Sequence, residues 1–335
     1  MIKNVSKYKI ITYLIIAYLI ALPFVSDSRS TLLLLTQVFI FAIFAMSYDL
    51  LLGYTGIVSF GHAMFFGIGA YTTGVYMKDI SSSLGSYFIS VALGMLFAAI
   101  VSFLVGILSL RLKSHFYAML TLAFAGLFLV LAEKWRTVTR GNDGFTFNVP
   151  EVMYDRVVFY FIVFAAMIGV YLLLKRFTSS PLGHVLQATR ENEQRTESLG
   201  YNVLTYRVIS SVVAGMLAAF SGSLYVITLR FVNTSVFATE VTLNALLMTI
   251  IGGVGTLVGA IIGAGLFEFA HHWLSDLAKV HWIFERWIIL FGTLYILIVM
   301  FLPYGVVGTF RKWRFDRSVK KQVKLIEKVN DNKSV

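Results

Sequence analysis

The chain alternates long apolar runs with short polar breaks, and the runs have the length of a bilayer crossing. A helix rises about 1.5 Å per residue and the hydrocarbon layer is about 30 Å thick, so apolar runs of about 20 residues predict spanning helices. Eight segments qualify: Tyr8–Val25, Thr31–Leu52, Gly56–Met77, Tyr87–Leu110, His115–Glu133, Val157–Leu174, Tyr206–Leu229 and Arg286–Phe301. A further stretch, Leu243–His271, is long enough to cross once, but Gly252-Gly253-Val254-Gly255 interrupts it. The runs are continuous, unlike the alternating segments of roughly ten residues in a transmembrane barrel. Lipid leaves backbone groups no partner outside the chain, which confines the fold to helices. The expected fold is an all-α polytopic membrane protein with about eight spanning helices plus a re-entrant helix pair.

Basic residues orient this pattern, because cytoplasmic segments carry the excess of Lys and Arg. The tail Thr309–Val335 holds nine Lys/Arg against three Asp/Glu, and Lys3, Lys7 and Lys9 stand at the start. Both termini are therefore expected in the cytoplasm, with Arg111-Leu112-Lys113 and Lys175-Arg176 on the same side. A single crossing by Leu243–His271 would leave the basic tail outside. A dip and return, turning at Gly252–Gly255, keeps it inside. The first arm, Leu243–Ile251, is about 13 Å long, too short to span.

Composition agrees. Of 335 residues, 58% are hydrophobic and 13% are charged, about half the charge of a soluble domain. The absence of cysteine excludes a disulfide scaffold and Cys-ligated zinc. Net charge is +11, and the basic tail is read as a topology and lipid signal rather than a nucleic-acid site. Ile10–Val25 has the length of a signal-peptide core but no clear cleavage site after it, so it is read as a retained helix. The expected division is a transmembrane domain over 1–308, with a cytoplasmic segment at 178–204, and a basic cytoplasmic tail over 309–335.

Three features carry chemistry. Pro181 and Gly183 open a polar segment that continues through Arg190, Glu191, Asn192 and Glu193 to Gly200. Pro suits a first helical turn and Gly a left-handed C-terminus, so a short charged helix is expected outside the lipid. It is either an ordinary solvated connection or a handle for another protein. Next, Asp49, Gly53, Thr55, Gly56, Ser59, Gly61 and His62 form a glycine-rich polar cluster after an apolar helix. A broken helix there must face protein or a watery path, and close packing through small residues is the alternative. Asp49 either sits in the headgroup region or bonds a backbone N–H or His62. Last, Gly252, Gly253 and Gly255, followed by Gly259 and Gly263, form a second such cluster, read as packing or as path lining. His271 and His272 point apart on a helix and lack a third ligand, so no metal site is expected. No phosphate-binding Gly-Lys-Ser/Thr loop occurs, so ATP hydrolysis by this chain is not expected.

These segments resemble the branched-chain amino acid permease family of ABC importers, in its LivM-like branch. The Pro-x-Gly start at Pro181, then Arg190-Glu191-Asn192-Glu193, then Leu199-Gly200 match its coupling segment in order and spacing, although Arg195 and Thr196 stand where two small residues are usual. Asp49-Leu50-Leu51 through Gly53-Tyr54, Gly56, Ser59 and Gly61-His62-Ala63 match its signature. Gly141-Asn142-Asp143-Gly144-Phe145-Thr146 with Pro150 resembles an external feature of that branch. The resemblance covers roughly residues 30–305. It implies an ABC-importer permease fold, no cofactor, and uptake of branched-chain amino acids. It further implies a second homologous permease, two ATPase subunits, a periplasmic substrate-binding protein and a bacterial inner-membrane location. Under it, Pro181 to Gly200 contact the ATPase, and the two glycine clusters line the path. Urea or short-amide importers are the alternative on substrate, and a stand-alone secondary transporter or channel is the alternative on mechanism.

Overall fold

A computed structural model describes residues 14, 17–24, 28–112, 114–277, 286–302, 304–310 and 312–313. Half of the expected first span, Tyr8–Val25, and nearly all of the basic tail fall outside the described residues. The long helices are α1 (Arg29–Asp49), α2 (His62–Asp79), α3 (Leu84–Ser109), α4 (Ser114–Lys134) and α5 (Arg156–Thr178), then short α6 (Pro181–Glu191) and α7 (Glu193–Ser198). After these come α8 (Val203–Leu229), α9 (Thr239–Gly252), α10 (Leu257–Leu277) and α11 (Trp287–Phe301). Seven helices among the described residues are long and apolar enough to cross a membrane.

Helix α1 is apolar around its circumference and becomes the axis of the bundle, since a helix with no polar face has to be covered on all sides. It packs against α5, α8 and α10, while α2 is held between α3 and α8. Phe44, Ile40, Ile43 and Met46 of α1 are fully buried. The outer helix α4 is mostly exposed, as expected of a helix facing lipid or another subunit.

The expected span Gly56–Met77 is corrected. Residues 56–61 are not helical, and α2 starts only at His62. The remaining 18-residue helix is buried along most of its length and is not among the seven lipid-length helices. Its glycines and threonines make it less apolar than its neighbours, which burial in protein permits.

The re-entrant reading meets an asymmetric hairpin. Arm α9 has 14 residues and is too short to cross, whereas arm α10 has 21 and is long enough. The arms run antiparallel: a Cβ added at Gly252 would lie 1.9 Å from the Gly259 carbonyl oxygen, and one at Gly263 1.9 Å from that of Met248. The turn between them carries Gly253 at φ 119° and Gly255 at φ 82°, a conformation that side-chain-bearing residues rarely adopt.

The segment around Gly141–Thr146 is structured. Phe145–Thr146 (β1) pairs antiparallel with Phe231–Val232 (β2), and the Thr234 hydroxyl donates to Asn142 Oδ1 at 2.8 Å. These bonds tie the connection before α5 to the one after α8.

Candidate functional site

Three sequence-distant segments converge at one end of the bundle. Helix α1 does not stop at Asp49. It widens into a π-helical stretch, Leu50–Thr55, and ends on Gly56 in the left-handed conformation. Such widened turns misalign the backbone ladder and recur at functional sites. Here the loosened carbonyl of Gly53 accepts a hydrogen bond from the Arg190 guanidinium of α6, 137 residues further on. Beside it, Asp49 Oδ1 accepts the backbone N–H of Gly255 in the hairpin turn at 2.7 Å. Asp49 is fully buried, and its second carboxylate oxygen has no partner. The headgroup alternative for Asp49 is thus replaced by the backbone N–H one.

His62 does not pair with Asp49. Its Nε2 lies 2.9 Å from Ser47 Oγ, and that hydroxyl already donates to the Phe44 carbonyl at 2.7 Å. Ser47 has one proton to give, so His62 Nε2 carries the hydrogen and Nδ1, buried without a partner, is the bare nitrogen. The ring stacks on Phe44 and meets Tyr48 edge-on.

The non-helical segment before α2 has its backbone groups met by other helices. The Tyr48 hydroxyl donates to the Ser59 carbonyl at 3.1 Å, Thr121 of α4 accepts the Phe60 N–H at 3.1 Å, and Thr242 of α9 accepts the Ala63 N–H at 2.8 Å. Ser59, Gly61, Thr55 and Gly53 are buried, and Gly56 is exposed. Thr121 and Thr242 are participants that sequence reasoning missed. For Thr121 a lone threonine inside an apolar run was the available signal, whereas Thr242, between Glu240 and Asn244, offered none.

The cytoplasm-assigned segment is two helices, not one. Pro181 occupies the first turn of α6, capped by Ser180 Oγ, which accepts the Gly183 N–H at 3.4 Å. A Cβ on Gly183 would lie 2.3 Å from the Thr178 carbonyl oxygen, so only glycine lets α6 fold back this tightly on α5. Asn192 splits the segment. It ends α6 and caps α7, its Oδ1 accepting the Arg195 N–H at 3.0 Å. Gly200 follows α7 at φ 89°. Glu193 forms a two-pronged ion pair with Arg207 of α8, at 2.6 and 2.9 Å. Arg207 is a third missed participant. Arg190, Glu191, Asn192, Glu193 and Arg195 are all exposed, whereas Leu186 is fully buried and anchors α6. The segment thus presents a charged outer surface on an apolar root.

Residues 30–302 match the family described as branched-chain amino acid transport system / permease component. The chain is 24% identical to the high-affinity branched-chain amino acid transport system permease protein LivM of Salmonella typhimurium, and equally to that of Escherichia coli, over 91% of this chain and 76% of each relative. It is also 24% identical to a probable branched-chain amino acid transport permease protein LivM of Methanocaldococcus jannaschii, over 80% of this chain and 90% of that one. No solved structure matches.

Proposed function

The chain belongs to the branched-chain amino acid transport system / permease component family, and from that premise we propose that it is the membrane-embedded permease subunit of an ATP-driven importer for branched-chain amino acids. It is a multi-pass membrane protein and a transport component rather than an enzyme. A second homologous permease, two ATPase subunits and a periplasmic binding protein complete the assembly in the inner membrane, with both termini of this chain cytoplasmic. Residues 1–308 form the transmembrane unit and 309–335 its basic tail.

The observation that carries the reading is the Arg190 to Gly53 bond. It joins an exposed charged helix to the buried junction of α1 and the hairpin turn. An ATPase that grips α6 and α7 through Glu191, Asn192, Glu193 and the turns at Pro181, Gly183 and Gly200 displaces them as a rigid body. Through Arg190 that displacement reaches Gly53, Asp49 and Gly255. The segment from Thr55 through Gly56, Ser59 and Gly61 to His62, with Gly252 and Gly253 opposite, then moves at the edge of the path. Rigid elements with two discrete arrangements are how such a stroke travels.

The test is a mild-detergent pull-down of the tagged chain from its native membrane, followed by reconstitution with the binding protein. Co-purification of two ATPases and a second permease, with ATP-dependent leucine uptake, supports the proposal. A chain that purifies alone and transports without ATP would make it a secondary transporter. Uptake of urea or short amides in place of leucine would overturn the substrate.

A further inference from the structure

At the outer end of the bundle, away from the coupling segment, three arginines line one cleft. Arg29 begins α1, Arg156 begins α5 and Arg230 ends α8, around a space of about 510 Å³. Among the described residues no carboxylate lines it. Two described acids beside it in the fold are already engaged. Asp155 Oδ1 accepts the Val157 and Val158 N–H groups at 2.8 and 3.4 Å, and Asp276 pairs with His272 at 3.3 Å. Among the described residues none of the three arginines has an ion-pair partner. The Arg230 guanidinium rests on the Tyr154 ring, 4.2 Å from its centroid, which positions it and leaves its charge uncancelled. Two helices start here and one ends, so the helix ends together leave a positive contribution to the field. The Ser28 side chain makes no capping bond to the first turn of α1.

Three like charges in one cleft repel one another unless an anion sits between them. The remaining wall says which anion. Leu32, Leu33, Met153, Phe159 and Ile227 are its apolar part, and Ser30, Thr36 and Thr228 are its only uncharged polar residues. Leu33 lies one turn further along α1 than Arg29 on the same face and is 45% exposed. An anion with an apolar body beneath it fits this arrangement. A free amino acid fits less well, because the described lining offers no carboxylate to its ammonium group.

We propose that the Arg29, Arg156 and Arg230 cleft is a binding site for the phosphate headgroup of an anionic phospholipid in the outer leaflet, with an acyl chain against Leu33 and Phe159. Guanidinium and phosphate form paired, charge-assisted hydrogen bonds, and arginine is the residue suited to them.

The experiment is native mass spectrometry of the whole purified assembly in nanodiscs of phosphatidylglycerol mixed with phosphatidylethanolamine. It compares wild type with Arg29→Gln, Arg156→Gln and the double variant. Arg195→Gln, on the opposite side of the membrane, is the control. The expected result is one retained phosphatidylglycerol in wild type and in the control, and a roughly tenfold or greater loss of it in the double variant. Equal retention by all variants would overturn the site. Separate additions of inorganic phosphate and of leucine test the source of the anion. Displacement of the lipid by either at millimolar levels would make this a soluble-anion site and overturn the lipid assignment. Lipid occupancy is read directly, so the outcome does not depend on the transport reading.

Discussion

Asp49 and Gly255 stand 206 residues apart in sequence and share a 2.7 Å hydrogen bond, the glycine N–H donating to Oδ1 of a fully buried carboxylate. The bond needs an acceptor and not a charge. Asparagine keeps an acceptor at Oδ1 and replaces the partnerless Oδ2 with an amide. Asp49→Asn is therefore expected to retain leucine uptake within about twofold, whereas Asp49→Leu leaves the Gly255 N–H unmet at a cost of about 1–3 kcal/mol. Uptake in membrane vesicles, normalised to protein detected by immunoblot, distinguishes them. Loss of uptake in both would mean that the negative charge itself is used.

Arg190 and Glu191 are neighbours with different surroundings. Arg190 donates inward to the Gly53 carbonyl, while Glu191 lies on the outer surface. Replacing both by alanine is expected to leave the assembly expressed but to uncouple ATP hydrolysis from uptake, lowering uptake per ATP by about tenfold, a typical coupling energy. Arg190→Ala alone should reproduce most of that loss with the ATPase still bound. Parallel assays of phosphate release and leucine uptake in proteoliposomes measure it, and an unchanged ratio would remove Arg190 from the transmission.

The sequence pattern located most of this fold but not the site's assembly. Apolar runs had to mark the spans because lipid accepts nothing else, and Gly252-Gly253-Val254-Gly255 had to mark a turn. The Asp49, Gly53 and Gly255 junction was divided between two glycine clusters, and nothing local to either says that they touch. Asn192 was legible in retrospect: it is a preferred helix-starting residue, and its side chain caps α7. Arg207 was not, since one arginine near the start of a spanning helix reads as an interfacial anchor, and only the fold brings Glu193 to it.

The crossing of α2 and α8 depends on glycine at two positions. A Cβ at Gly69 would lie 1.9 Å from the Ala219 carbonyl oxygen, and one at Gly222 2.0 Å from that of Phe66. Both distances are inside any tolerable contact, so the helices must separate. Gly69→Ala and Gly222→Ala are each expected to destabilise the protein by about 3 kcal/mol, the upper end for an overpacked core. Gly126 of α4 has open space around it. Gly126→Ala is expected to be neutral or stabilising by up to about 1 kcal/mol through helix propensity. Fluorescence-detected size exclusion after heating ranks the three, and an unstable Gly126→Ala alone would reverse the argument.

Glu193 and Arg207 fix α7 to α8 at the foot of the bundle, with side chains 47% and 16% exposed. A pair this open to solvent is screened, so its coupling is expected at about 1 kcal/mol and should shrink at high salt. A double-mutant cycle of Glu193→Gln and Arg207→Gln, read as the shift in melting midpoint at low and high salt, checks it. Arg207→Gln alone should cost more than Glu193→Gln, because Arg207 is the more buried partner.

By parity, the return of the hairpin predicts the side on which the basic tail ends. If α9 and α10 enter from outside and return, the crossing α11 ends in the cytoplasm and the nine basic residues after Thr309 lie there with it. If the pair amounted to one crossing, the same residues would be held outside, against the bias that places Lys and Arg on the cytoplasmic side. The turn supports the return: Gly255 meets Asp49 and lies beside Arg190, so it reaches the same end of the bundle as α6. Ser318, outside the described residues, is the reporter. The chain has no cysteine, so Ser318→Cys introduces a single thiol. It is expected to react with a membrane-impermeant maleimide only after the cytoplasmic face is opened. Reaction in intact cells would require an odd number of crossings between α8 and α11, and would place the Arg190 junction and the tail on opposite sides of the membrane.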